Sequence, residues 1–297
     1  MVKIKQSKSD FIFDITNNLV MILFLIIIAY PLYFILIASI SDPTLIYNGE
    51  VLFFPKGITF LGYEKIFQDE KILIGYRNTI MYTLVGTLIN VALTVTGGYA
   101  LSRKDMKGRR FILRIFTFAM FFNGGMIPTY LLVKNLGMLY TFWAMVIPNA
   151  VSIFNIIIAR TYYENNIHPE LHEAAFIDGC GNLTFFHKIA LPLSKSLTAV
   201  MVLFYAVGHW NSFFNALIYL NDQMMYPLQL ILRNILIVNQ SMDNSMLNDV
   251  REMLEKQKAA ELIKYGVIVV SSLPILILYP FIQKYFVKGV MIGAIKG

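Results

Sequence analysis

Long apolar runs alternate with short polar stretches along this chain. A helix needs about 20 predominantly apolar residues to cross a bilayer. Six runs meet that length, near 17–40, 79–101, 111–132, 141–160, 196–220 and 265–286. The pattern predicts an all-α membrane protein with six transmembrane helices. Residues 17–286 read as a single transmembrane domain, with 1–16 and 287–297 as tails.

The polar interruption at 160–195 has a pattern of its own. Between His168 and Pro192 it reads as a helix, a turn and a second helix. Pro169 suits a first helical position, and Glu170 and Glu173 put negative charge at the positive end of the helix dipole. Leu171, Ala174, Ala175 and Asp178 recur at i, i+3, i+4 and i+7, so one narrow face is small and apolar. Gly179 ends the helix and Gly181-Asn182 extends the turn. A short aromatic helix over 184–189 follows, and Pro192 stands where the next apolar run begins. A face of small alanines lets another protein approach closely. An ordinary amphipathic connector has the same periodicity.

Composition agrees with the runs. Of 297 residues 57% are hydrophobic and 14% charged, where a soluble domain carries about 25% charged residues. Cys180 is the single cysteine, which excludes an internal disulfide. It reads as a small turn residue, because one thiol has no resolving partner. Lys3, Lys5 and Lys8 precede the first apolar run as in a signal peptide, but that run is too long and further spans follow it, so it is expected to be retained.

The net charge of +7 is a topology signal and not a nucleic-acid footprint. Segments 1–16, 102–114, 160–195 and 284–297 hold 15 Lys and Arg against 7 Asp and Glu. Segments 41–78, 133–140 and 221–264 hold 10 against 11. The positive-inside rule places both termini and the 160–195 loop in the cytoplasm. The basic run Arg103 to Arg110 anchors the second cytoplasmic turn near anionic lipid. Outside, residues 59–67 read as a short interfacial helix. Residues 243–264 are polar and helix-favouring, with Glu252 and Lys256 spaced as an i, i+4 pair. That stretch is either a solvated helix or a contact for an external protein.

Polar side chains inside the runs are the candidate chemistry. They are costly in lipid and face protein or water. Asn149, Ser152 and Asn155 recur every third residue in the fourth run, predicting one polar stripe. Asn123 lies beside Gly124-Gly125 in the third run. Trp210, Asn211 and Asn215 crowd the fifth, next to His209. Amides donate and accept for hydroxyls, and aromatic faces stack on apolar ones; sugars use both. The same amides also serve as glue between helices. No charge lies in mid-span, which favours a neutral solute over an ion. No His or Cys pair has metal-ligand spacing, and Gly-Lys does not occur, so a phosphate-binding loop of the G-x4-G-K type is impossible.

Glu173, Ala174, Ala175, Gly179, Ile189, Leu191 and Pro192 spell E-A-A-x3-G-x9-I-x-L-P. By average residue frequencies, seven residues at fixed spacing arise by chance with a probability on the order of 10⁻⁶ in a chain this long. The motif resembles the EAA loop of permease subunits of ATP-binding-cassette importers. Further stretches resemble the branch that takes complex or oligomeric sugars: Gly97 to Arg103, Phe121 to Tyr130, His209 to Asn221, Tyr226 to Leu230, and Val287 to Val290 with Gly293-Ala294. The resemblance runs from about residue 11 to the end.

The resemblance implies the importer-permease fold of six spans with a cytoplasmic coupling helix that docks on an ATPase. In it Glu173 is the docking charge, Ala174 and Ala175 the close-contact face, and Gly179 the turn, with Asp178, Ile189, Leu191 and Pro192 completing the segment. It also implies a bacterial cytoplasmic membrane, a second related permease, two ATPase subunits carrying ATP and Mg, and a lipid-anchored external sugar-binding protein. This chain then binds no cofactor and is not itself an enzyme. A secondary transporter would carry an intramembrane carboxylate or an inverted repeat, and a membrane enzyme a catalytic cluster; neither is visible. An importer of the same class for peptides or amino acids is set aside only by the sugar-branch stretches.

Overall fold

The computed structural model describes residues 7–122, 124–242, 263–280 and 283. Among them the regular structure is helical, without a β-strand. The chain divides into two compact units, one within 1–69 and 235–272, the other within 70–234 and 273–297.

The first unit opens with α1 (Lys8–Ser39). Ser7 and Asp10 form a capping box at its start: Ser7 Oγ accepts from the amides of Ser9 and Asp10, and the Asp10 carboxylate accepts from that of Ser7. The helix is apolar all round, and every side chain from Phe11 to Tyr33 is exposed on this chain. Its last turn is buried, where Ile37 and Ala38 meet Ile46 and Val51, with Phe34, Leu45 and Tyr265 packed against them. Asp42 caps α2 (Pro43–Tyr47), and Tyr63 of α3 (Leu61–Gln68) donates to Ser39 Oγ at 2.8 Å. Thus α3 covers most of the stretch that reads as an interfacial helix.

The second unit is built on α4 (Glu70–Ser102). Its buried positions include Gly75, Asn78, Thr79, Tyr82, Gly86, Asn90, Thr94 and Gly98. They recur at three and four residues, so they form one stripe, mostly small and polar, with Ile72, Val95 and Leu101 buried beside it. Small residues at a helix contact let backbones come close. A Cβ at Gly98 would fall 2.5 Å from Ala159 Cβ and 3.0 Å from the Arg160 amide nitrogen.

After α4 come α5 (Arg109–Phe121), α6 (Met126–Asn135), α7 (Phe142–Val146) and α8 (Ile153–Asn166). The run 141–160 is therefore not one helix. Pro148 has no N–H to continue α7, and Ser152 caps a new helix by accepting from the Asn155 amide at 3.4 Å. The polar stripe expected along 149–155 does not exist as a helical face: Asn149 and Ser152 belong to the break, and only Asn155 is inside α8.

The 160–195 segment continues as α9 (Pro169–Ile177) and α10 (Asn182–Phe185), then a π-helical turn over Phe186–Ala190 and α11 (Leu191–Leu193). The wide turn has a local cause. Pro192 cannot donate to the carbonyl four residues back, and the Leu191 amide reaches five residues back to Phe186. An 80° bend follows, and α12 (Lys195–Trp210) begins. The fifth run is also interrupted, between α12 and α13 (Phe214–Tyr219). The Asn211 side chain donates to Val207 O at 2.9 Å, a local bond of the kind that competes with helix continuation. Last come α14 (Leu228–Met242) and α15 (Ile263–Pro280).

Among the described residues three helices, α1, α4 and α15, are long and apolar enough to cross a membrane; two bent pairs, α5 with α6 and the 182–193 stretch with α12, raise this to five. The polar stretch at 243–262 and the 287–297 tail lie outside the described residues.

Candidate functional site

Two places in the second unit gather the candidate residues. The first is a cavity of about 500 Å³ beside the two helix breaks. Asn149 and Ser152 reach it from the break before α8, and Asn211 and Asn215 from the break after α12. Asn90 of α4, His209 and Ser212 add to its polar lining, and Phe204, Tyr205, Phe213 and Phe214 supply aromatic surface. Among the described residues no Lys, Arg, Asp or Glu lines it. In a membrane protein irregular backbone is tolerated where it is buried in protein or lines a cavity, and both breaks border this cavity.

Hydrogen bonds fix the walls. Asn90 Nδ2 donates to the Asn149 carbonyl at 2.6 Å, and His209 Nε2 lies 2.7 Å from Asn90 Oδ1. Thr94 Oγ1 and the Tyr205 hydroxyl are 2.6 Å apart. Asn155 and Trp210 do not line the cavity; both are buried, and Trp210 meets Tyr76 edge-on at 6.3 Å. Asn123 lies outside the described residues.

The second place is the 169–193 segment. Glu170 stands in the first turn of α9, and Gly179 ends it with φ +78°, a conformation that favours glycine. The Asp178 amide donates to Ala174 O and that of Cys180 to Ala175 O, closing the helix end. Glu173 and Ala174 are exposed on α9, as are Phe176 and Ile177; Leu183 on α10 is exposed as well. Ala175 is different. It is buried in a core with Phe185, Phe186 and Ala190 of the same segment, Val95 of α4, Ala159 and Tyr163 of α8, and Leu197, Met201 and Tyr205 of α12. So the two alanines do not share an outward face. Ile189 and Leu191 pack half-buried against this core, while Pro192 and Asp178 are exposed. His172 joins α9 to α10 through an edge contact with Phe185 at 4.9 Å and a 3.3 Å contact to Asn182 Oδ1.

Tyr205 belongs both to this core and to the cavity wall. One continuous packed body therefore links the exposed α9–α10 surface to the cavity. An ion-pair cluster braces it: Glu164 of α8 bonds Arg109 at the start of α5 and Arg160 one turn back, and Arg109 Nε donates to Leu101 O at 2.7 Å. In the adjoining turn Arg103 grips Asp105 with two bonds, at 3.0 and 2.8 Å, and holds its carboxyl below the usual carboxylate range.

Protein LplC of Bacillus subtilis is 40% identical over 98% of this chain and 97% of its own length. The polygalacturonan/rhamnogalacturonan transport system permease protein YtcP of the same organism is 38% identical over 96% of this chain and 99% of its own. No family model matches. Among solved structures, a chain of a bacterial ABC transporter involved in the import of the acidic polysaccharide alginate superimposes with a TM-score of 0.86 at 34% identity, over 96% of this chain and all of that one. The chain belongs to the permease subunits of carbohydrate ABC importers.

For this permease the sequence pointed to four of the cavity's polar side chains, Asn149, Ser152, Asn211 and Asn215, and missed Asn90, Ser212 and Tyr205, together with Thr94, which holds Tyr205 from behind. A lone amide in the middle of an apolar run was the available signal for Asn90. Thr94 and Tyr205 carry no such signal, because each is unremarkable until the other is placed beside it. The Arg109–Glu164–Arg160 cluster was equally invisible, since Arg109 and Glu164 are 55 residues apart.

Proposed function

We propose that this permease is one half of the translocation path for an oligosaccharide. Its six spans pair with a second permease, with both termini and the α9–α10 surface in the cytoplasm. Two ATPase subunits hold ATP and Mg and dock on that surface; a lipid-anchored external protein delivers the sugar. The carrying observation is the cavity, where amides, hydroxyls and aromatic rings lie beside two helix breaks and, among the described residues, no Lys, Arg, Asp or Glu joins the lining. Such a lining takes a sugar by its hydroxyls and ring faces.

Glu173 and Ala174, with Phe176, Ile177 and Leu183, form the docking surface; Gly179 and Asp178 shape its end. Ala175, Ile189 and Leu191 act from within, joining the surface to α4, α8 and α12, and Pro192 shapes the wide turn. Closure of the ATPase pair moves this body as a lever and switches the cavity between the two sides of the membrane. Asn155 and Trp210 are assigned to the path's margins, and Asn123 to the path itself.

Uptake of neutral and uronate-bearing oligosaccharides by the whole transporter tests the reading. Asn211→Ala and Asn215→Ala should weaken uptake several-fold with ATPase subunits still bound. Glu173→Lys should lose ATPase copurification and nearly all uptake, whichever sugar is used. Normal uptake in the charge-reversed variant would remove the docking assignment, and unchanged uptake in both alanine variants would remove the cavity assignment.

A further inference from the structure

Asn90 has no exposed surface, and both ends of its side-chain amide are used. A buried amide is costly unless paired, and in a membrane span it marks a place where something specific is held. The Asn149 carbonyl is only an acceptor, so the end of Asn90 that faces it is the NH₂. The oxygen then faces His209, and His209 Nε2 carries the proton and donates. The orientation of both side chains follows from one backbone carbonyl.

Gly86, one turn before Asn90, makes the approach possible. A Cβ there would overlap the Nε2, Cε1 and Cδ2 end of the His209 ring. The ring tip thus sits on bare α4 backbone beside the amide. Through this one junction α4 holds both helix breaks: Asn149 belongs to the first, and His209 lies two residues before Asn211, where the second begins. Of the side chains that line the cavity, Ser152, Asn211 and Ser212 belong to those breaks, and Asn215 lies in the first turn of α13 just beyond the second.

We propose that Asn90 and His209 are positioning residues that set the sugar selectivity of the cavity by holding its two broken helices in register on α4. The proposal rests on the reading of the cavity as the sugar path. A sugar is told from its isomers by where its hydroxyls fall, so the amides must be held at a fixed separation. Unwound backbone does not hold itself, because it lacks the repeating bonds of a helix. The junction supplies the missing restraint, and its loss leaves Ser152, Asn211 and Asn215 at variable separation.

The test is uptake by the whole transporter of a disaccharide and a tetrasaccharide of the series it accepts, with KM and maximal rate for each, alongside protein yield and melting temperature. His209→Leu removes the donor; Gly86→Ala displaces the ring without removing any polar group; His209→Gln keeps an N–H at the end of a side chain of similar reach. The expected result is a several-fold change in the ratio of the two KM values in His209→Leu and in Gly86→Ala, a smaller change in maximal rate, and a ratio within about twofold of the parent in His209→Gln. A residue of purely structural importance would lower yield and melting temperature and leave the ratio alone. Should His209→Leu fail to accumulate, Gly86→Ala against His209→Gln decides the matter. An unchanged ratio in Gly86→Ala and His209→Leu, or an equal change in His209→Leu and His209→Gln, overturns the proposal. If Asn211→Ala and Asn215→Ala change the ratio while the junction variants do not, positioning alone is wrong; if none of them changes it, the cavity is not the sugar path.

Discussion

Helices α1 and α4 have 32 and 33 residues, each about 50 Å long at 1.5 Å per residue, and both exceed what a bilayer requires. They treat their surroundings in opposite ways. In the most apolar stretch of α1 only 6% of positions are buried in this chain, against 33% in α4. The helix that is apolar all round is the exposed one, and the helix whose inner stripe is Gly, Thr and Asn is the one others pack on. In water the reverse assignment would hold, since burial there follows apolarity. In a bilayer lipid already satisfies apolar side chains, so burial is decided by close approach and by polar groups that need partners. The difference teaches which residues of a membrane chain carry its tertiary structure: the least hydrophobic ones.

Substitutions along both helices break or sharpen this comparison, and thermal unfolding of purified protein reads them all. The largest effect is expected for Gly98→Leu. It drives a side chain into Ala159 and the Arg160 backbone, for a cost of about 3 kcal/mol, at the upper end of overpacking. Asn78→Leu comes next. Its Nδ2 donates to Met224 O at 2.8 Å and to Tyr226 O at 3.1 Å, so the change removes two bonds and leaves two carbonyls short of a donor, a loss of about 2 kcal/mol. A gain in stability on making this position apolar would contradict the reading of the stripe.

Thr94→Val removes the bond to Tyr205 while keeping the shape, and should cost about 1 kcal/mol. The smallest effect is expected for Leu25→Ala on exposed α1, within about 0.5 kcal/mol, as for surface positions generally. A loss comparable to that of Asn78→Leu, appearing only in the assembled transporter, would show that a partner subunit covers α1 and would confine the contrast to the isolated chain.

Much of the 169–193 segment was legible before any coordinates. Pro169 starts α9, Gly179 ends it at positive φ, and the aromatic stretch after Asn182 is helical. These are local rules, each acting within one or two turns. What failed was the pairing of Ala174 with Ala175. Residues next to each other in a helix point about 100° apart, and only the packed core of α4, α8 and α12 shows which of them turns inward. The fourth run failed for another reason. Hydropathy measures whether a segment prefers lipid, and a helix broken at Pro148 and restarted at Ser152 is as apolar as a continuous one.

The sequence by itself determined that this is a membrane chain of the importer-permease family, where its apolar runs lie, and where helix α9 starts and stops. Those properties depend on composition, transfer from water to lipid and short-range backbone preference, all of which are written in consecutive residues. Only the tertiary structure decided that Asn149, Ser152, Asn211 and Asn215 face one cavity, and that Asn90 stands between them. Asn90 meets Asn149 across 59 residues and His209 across 119. An amide in lipid must find a partner, but nothing in its own neighbourhood names which one. That choice is made by the close packing of α4, α8 and α12, where glycine leaves the room and the breaks present the carbonyl.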